Sequence, residues 1–335
     1  MTTPGAHMQS ELAEAPAVFA GTIRTAVTPF NAAHLAELRP TAIYTIARGS
    51  SDAAANILSY EFMRETGLPM TSLPPSIFSV GRGVSLDGAL ALVVSQSGAS
   101  NDLVLSAQGA RTKGATVIGL INAPNSPVSE HAHLILPIGA GPELAVPATK
   151  SVIGSIAAGM ALLSHLAPTY APRAEASAKA FDAPLAPVPQ TKAVLSALLR
   201  ANHVYVIGRD TGYGAAQELA LKLKETCAIH AEAYSSSEVL HGPLQLATNP
   251  LLILILDTEQ PDVQASLDTA EARFKAAGGT TYRLRPSDIG AQNLTPAAAA
   301  AMLLCLTYPL VLATALALGH DPDRPETLSK VTQTI

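Results

Sequence analysis

Three residues in one short stretch, Glu218, Lys222 and Glu225 of ELALKLKETC, have the types and spacing for proton chemistry. At i, i+4 and i+7 they fall on one face of a helix. Such a stripe is either a solvated charged face or two carboxylates about a lysine, and spacing alone does not choose. The residues that follow tilt the balance. Apolar Cys227-Ala228-Ile229 gives way to polar His230-Ala231-Glu232, then to the turn Ser235-Ser236-Ser237 and to His241-Gly242-Pro243. A histidine ahead of Gly-Pro stands where no regular helix continues, so its imidazole is held at an irregular, concave place. A carboxylate base, a lysine and a loop histidine this close in sequence suit proton transfer on a small substrate.

Two loops offer anion sites. Ser95-Gln96-Ser97-Gly98-Ala99-Ser100 separates an apolar run at 89–94 from a helical pattern at 103–113. Hydroxyls and backbone N–H groups at a helix N-terminus attract negative charge. The loop lacks GxxxxGK[ST], so a monophosphate fits better than a nucleotide triphosphate. A helix cap with turn serines has the same pattern. Arg48-Gly49-Ser50-Ser51 stands at the matching place after the run 42–47, with Gly49 permitting a tight turn. Two such loops at neighbouring strand ends favour one shared ligand. No GxGxxG follows a strand, which argues against a dinucleotide. The loop 141–150, with two prolines and Thr149-Lys150, is shaped but chemically silent. Lys330 in Thr327-Leu328-Ser329-Lys330-Val331 is a second lysine near a terminus, a place where side chains are ordinarily solvated.

The elements that must position these residues follow from the pattern of apolar runs. Residues 10–38 read as one or two amphipathic helices. Runs at 42–47, 89–94, 116–121 and 134–138 read as strands, with helices at 53–64 and 103–113 and an apolar helix from 151. The proline-rich 183–190 is a linker. The pattern then restarts, with strands at 203–207, 251–256 and 280–284 and helices at 215–227 and 262–277. YTIARGSSDAAA from Tyr44 matches YVIGRDTGYGAA from Tyr205, the mark of an internal duplication. The expected fold is α/β, two doubly wound parallel sheets with ligands at the carboxyl ends of strands. The expected division is an N-terminal helical segment 1–40, a first domain 41–182, the linker 183–190, a second domain 191–320 and a tail 321–335.

Composition excludes several classes. The chain is 48% hydrophobic and 14% charged, so it buries a sizeable core and is not disordered. A net charge of −5 without a basic block argues against nucleic acid. The two cysteines lie in apolar patterns and read as reduced core residues of a cytoplasmic protein, with no metal spacing. No signal peptide is read at the N-terminus. The charge-free stretch 297–318 is long enough to span a bilayer, but Pro309 and the lack of flanking Lys or Arg favour a buried helix.

The motifs Ser95-Gln96-Ser97-Gly98, Ala148-Thr149-Lys150, Glu218 with Leu221-Lys222-Leu223-Lys224-Glu225, His230-Ala231-Glu232-Ala233, His241-Gly242-Pro243 and Lys330-Val331 occur in that order. Together they resemble the tandem SIS (sugar isomerase) region of glucosamine-6-phosphate synthase, over roughly residues 41–335. Leu240-His241-Gly242-Pro243 and the Gly49-Ser50-Ser51-Asp52 loop also resemble the stand-alone SIS-type glucosamine-6-phosphate deaminases. No counterpart of the synthase's glutaminase cysteine is read in the first 40 residues. The resemblance implies a flavodoxin-like fold and a hexose or hexosamine 6-phosphate as ligand. It implies phosphate contacts at Ser51, Ser95, Gln96, Ser97 and Ser100, with Gly49, Ser50, Val146 and Ala148 as further binding positions. It makes Glu225 the carboxylate base, His241 the ring-opening histidine, and Lys222 and Lys330 substrate lysines. It needs neither cofactor nor metal, and it implies a homodimer in which the histidine loop reaches the neighbouring subunit's site. Pro147-Ala148 stands where the synthase has Ala-Ser, so a hydroxyl beside the sugar is missing. Glucosamine-6-phosphate deamination is the expected activity. Galactosamine-6-phosphate deamination, fructosamine-6-phosphate deglycation and a non-enzymatic sugar-phosphate sensor are its rivals.

Overall fold

The computed structural model describes residues 3–123 and 125–330. Helices α1 (Ala6–Thr25) and α2 (Pro29–Leu35) come first. Then follow β1 (Ile43–Ile46), α3 (Gly49–Thr66), β2 (Met70–Ser72), the one-turn α4 (Ser76–Ser79), β3 (Leu90–Ser95), α5 (Asn101–Thr112), β4 (Thr116–Ile121) and β5 (Leu134–Pro137). Helices α6 (Lys150–Leu166), α7 (Ala171–Ala180) and α8 (Thr191–Leu198) lead to β6 (His203–Gly208), α9 (Thr211–Cys227), β7 (His230–Ser235), β8 (Leu252–Leu256), α10 (Pro261–Ala276), β9 (Thr280–Leu284) and α11 (Pro296–Ala317).

All neighbouring strands pair in parallel, in the orders β2-β1-β3-β4-β5 and β7-β6-β8-β9. The second sheet repeats the first four strands of the first, so the duplication seen in sequence is also one of topology. The chain thus has two doubly wound parallel sheets, each changing winding direction between its first and third strands, β1/β3 and β6/β8. β3 (LALVVS) and β8 (LILIL) are buried along their whole length, as expected of inner parallel strands covered on both faces.

Alternate strand residues face different cores. Leu92 and Val94 of β3 and Val204 and Leu254 of the second sheet belong to one large core shared with Phe19, Leu58, Ile156, Leu219 and Tyr308. Ala91 and Val93 face a smaller core under α5. Tyr205, Ile253 and Ile255 face another under α10. Helices α1, α3, α6, α9 and α11 therefore form a common layer between the sheets. α9 crosses α3 closely at Gly214, where a Cβ would lie 2.8 Å from the backbone nitrogen of Ile57. α11 is long and apolar enough to cross a membrane, yet most of it is buried, packed on α9.

The structure adds five elements to those read from sequence: β2, the one-turn α4, β7, α7 and α8. β2 and β7 are edge strands. Ser72 and Thr71 are exposed, and β7 alternates polar and small residues (HAEAYS), so neither carries an apolar run. Residues 183–188, read as a linker, have no regular structure and lie between α7 and α8.

Candidate active site

At the carboxyl ends of β1 and β3 two adjoining cavities open, of about 340 and about 180 Å³. Both are lined by Arg48, Ser51, Val146, Ala148 and Lys330. The larger adds Gly49, Ser95, Gln96, Ser97 and Ser100; the smaller adds Ser50, Lys222, Glu225, Leu328 and Ser329. Twelve of the thirteen residues singled out from sequence thus meet at one place. His241 is the exception. It is exposed, ends a short 3-10 turn and lines neither cavity. Val331 and the rest of the tail, 331–335, lie outside the described residues.

In the serine loop, Ser95 Oγ accepts from Gly98 N at 3.0 Å and Ser97 Oγ from Ala99 N at 3.3 Å. Gly98 takes φ 60, and a Cβ on it would strike Ser126 Oγ at 2.1 Å, so the turn needs glycine. Ser100 is the N-cap of α5 and Arg48 that of α3, but neither side chain caps its helix. The plain capping role that the sequence left open is not what the Ser100 hydroxyl does. Arg48 is anchored by Nε donation at 2.9 Å to Asp102, a buried carboxylate in the first turn of α5. The cavity therefore combines hydroxyls, two helix N-termini and a guanidinium, a set that suits a phosphate.

The charged stripe on α9 is not solvated. Glu218 and Lys222 are fully buried, while Glu225 is 26% exposed and reaches the smaller cavity. Lys222 Nζ donates to Glu225 and lies 3.6 Å from Glu218. Tyr308 of α11 donates its hydroxyl to Glu218 at 3.0 Å. Burial pushes Glu218 up to about 7, against the pull of Lys222. Burial opposes the charge on Lys222 too, but the two carboxylates outweigh it and raise its pKa. The lysine thus stays cationic and ties Glu225 in place.

Lys330 is tethered. Its ammonium donates to Ala145 O at 2.6 Å and lies 3.3 Å from Glu143. Glu143 is buried and also accepts from Thr149 N, Ser151 N and Ser151 Oγ, which shapes the turn into α6. From α1, Glu11 accepts from Leu144 N and, at 3.2 Å, from Ala145 N. Sequence reasoning gave no role to Glu11, Glu143 or Tyr308, and it read Arg48 only as part of an anion-binding loop, without a role of its own. Arg48 had a signal, its match with Arg209 in the duplication. The other three had none, because their partners Leu144, Lys330 and Glu218 lie 133, 187 and 90 residues away.

The SIS domain family matches residues 39–165 and 197–284. The glutamine–fructose-6-phosphate aminotransferase of Zymomonas mobilis is 29% identical over 96% of this chain and 58% of its own length. That of Symbiobacterium thermophilum is 30% identical over 92% of this chain and 54% of its own length. The chain spans about half the length of the curated relatives it matches. A solved protein of Silicibacter pomeroyi, assigned as a phosphosugar isomerase, superposes with a TM-score of 0.81 at 31% identity, covering 94% of this chain and 99% of that one. Glucosamine-6-phosphate deaminase of Thermotoga maritima superposes with a TM-score of 0.78 at 20% identity, covering 98% and 100%; that likeness is one of fold. Two β-sheets of matching strand order, two matched segments and full-length structural likeness make one case: the chain belongs to the SIS domain family, in tandem form.

Proposed function

We propose that this chain is a phosphosugar isomerase that deaminates, converting glucosamine 6-phosphate and water to fructose 6-phosphate and ammonia. One observation carries the reading. A partly exposed carboxylate, Glu225, lies beside a serine-lined cavity that shares five lining residues with its own. A phosphate in the larger cavity places the sugar carbons toward Glu225. Ser51, Ser95, Gln96, Ser97 and Ser100 hold the phosphate. Glu225 takes the C2 proton and returns it at C1, turning the 2-amino aldose into a 2-imino ketose through an enolamine. Water then hydrolyses the imine and releases ammonia. Lys222 and Lys330 offset developing negative charge on the sugar oxygens.

Ring opening needs an acid–base group at O1 and the ring oxygen. His241 stands outside the cavity within one chain, and we assign it to the site of a second copy in a homodimer. The reading predicts ammonia and fructose 6-phosphate in equal amounts from glucosamine 6-phosphate. Galactosamine 6-phosphate and fructosamine 6-phosphate serve as rival substrates in the same assay. Glu225→Gln, at saturating substrate, is expected to lower turnover by about 100-fold or more. Turnover close to the unaltered chain's would remove Glu225 from the proton path.

A further inference from the structure

The second sheet has a switch point of its own, and it also opens into a cavity, of about 500 Å³. Tyr205 lies 161 residues after Tyr44, and that offset carries Arg48 onto Arg209 and Gly49 onto Asp210. The backbone agrees: Gly49 has φ 52 and Asp210 φ 57. A non-glycine residue held there is strained, and such strain persists where the surroundings impose it. The same offset carries Glu61 onto Lys222 and Arg64 onto Glu225. α3 starts at the first switch point and delivers Arg64 to the second; α9 starts at the second and delivers Glu225 to the first. The two cavities are thus pseudo-symmetric mates, with the charges on the crossing helices inverted.

Three guanidinium groups line the second cavity. Arg64 pairs with Asp210 at 2.7 Å. Arg173 pairs with Glu65 and lies over the Tyr170 ring, 5.2 Å from its centroid. Arg209 donates to the hydroxyls of Ser235, at 2.8 Å, and Ser237, and among the described residues it has no carboxylate partner. Its counterpart Arg48 is neutralised by Asp102. Asp262 also lines the cavity, beside the N-terminus of α10. A half-buried guanidinium without a counter-ion, flanked by two further guanidiniums with one edge exposed, suits a phosphate dianion. With a guanidinium, Arg64, at the place of Glu225, the counterpart of the proposed base is missing from this cavity.

We propose that this second switch point is a non-catalytic binding site for the phosphate monoester of a small polyhydroxylated metabolite. The test is equilibrium binding of fructose 6-phosphate to the full chain by titration calorimetry, with inorganic phosphate as a parallel probe. The expected result is two sites per chain. Arg209→Gln removes one and leaves deaminase turnover with saturating substrate unchanged; Ser97→Ala weakens the other. Arg173→Gln, on an exposed side chain, weakens the same site as Arg209→Gln by about 10-fold. A single site in the unaltered chain, or two sites retained in both arginine variants with native circular dichroism, would overturn the proposal. Loss of binding in Ser97→Ala bears only on the first site, so the two readings fail separately.

Discussion

Removing the ammonium of Lys222 has a consequence that depends on pH. Lys222 is fully buried between two carboxylates, bonded to Glu225 and 3.6 Å from Glu218. At that distance and an effective dielectric of about 20, the attraction to Glu218 alone is about 5 kcal/mol. Breaking a buried pair by deleting one partner costs about 3–5 kcal/mol when the other charge is stranded. Glu218 has an escape, because burial already holds its pKa at about 7. In Lys222→Met it takes up a proton and stays neutral through pH 8. The folded chain then keeps a proton that the unfolded chain, with an ordinary carboxylate value of 4.5, has released. Stability of the variant therefore falls by about 1.4 kcal/mol per pH unit between about pH 6 and 8. In the unaltered chain the contribution of Glu218 levels off near pH 7, so the two curves separate by about 1.4 kcal/mol over the next unit. Urea unfolding at several pH values reads this, followed by far-UV circular dichroism since the chain has no tryptophan. The double variant Glu218→Gln/Lys222→Met should lose the excess slope. Parallel pH dependence in Lys222→Met and the unaltered chain would refute the idea that Lys222 pulls the pKa of Glu218 down.

Two further outcomes are expected. Glu61 is buried at the start of α11, where it accepts from Ala297 N at 3.1 Å, and burial pushes it up to about 7. Its folded value lies above the unfolded 4.5, so its stabilisation is complete below about pH 4.5 and declines, by on the order of 3 kcal/mol, as pH rises to about 7; thermal melts of Glu61→Gln across that window should be flatter than those of the unaltered chain. At the α3–α9 crossing, Gly214→Ala places a methyl 2.8 Å from Ile57 N and 3.0 Å from Ala53 O, both backbone atoms. The helices must part, so unfolding free energy should drop by about 1–3 kcal/mol, and an unchanged urea midpoint would show that the crossing yields without cost.

The fold was legible wherever burial imposes a pattern. Inner strands such as β3 and β8 are covered on both faces, so their sequences are unbroken apolar runs. The duplication was legible because Tyr44 and Tyr205 lie in equivalent strands and an arginine follows each at the same spacing, ahead of Gly49 and Asp210, which share a positive φ. Edge strands β2 and β7 were not, since a strand half open to water carries no run to find. In the site, the serine loop and the α9 stripe could be read from spacing, because each lies on one continuous element. Whether the stripe was solvated could not, because that depends on α11 packing over α9. Glu218 meets Tyr308 across 90 residues, and no local pattern encodes such a distance.

The contribution of α1 shows most plainly where local reading stops. Residues 10–38 read as one or two amphipathic helices ahead of the first domain, and α1 is the first of them, starting four residues earlier at Ala6. Yet Glu11 projects from it to accept the N–H groups of Leu144 and Ala145. Burial disfavours its charge and raises its pKa, while those two N–H groups pull the other way. The Ala145 carbonyl, in the same stretch, is the one that receives Lys330. Glu143, one turn of loop away, receives Lys330 as well and fixes the start of α6. An N-terminal helix and the far end of the chain therefore meet on one loop, and that loop also presents Val146 and Ala148 to the cavity. The side chains that line the site come from the loops of the first sheet, from α9 and from the tail, but the shape of its wall is set by a buried carboxylate from outside all three.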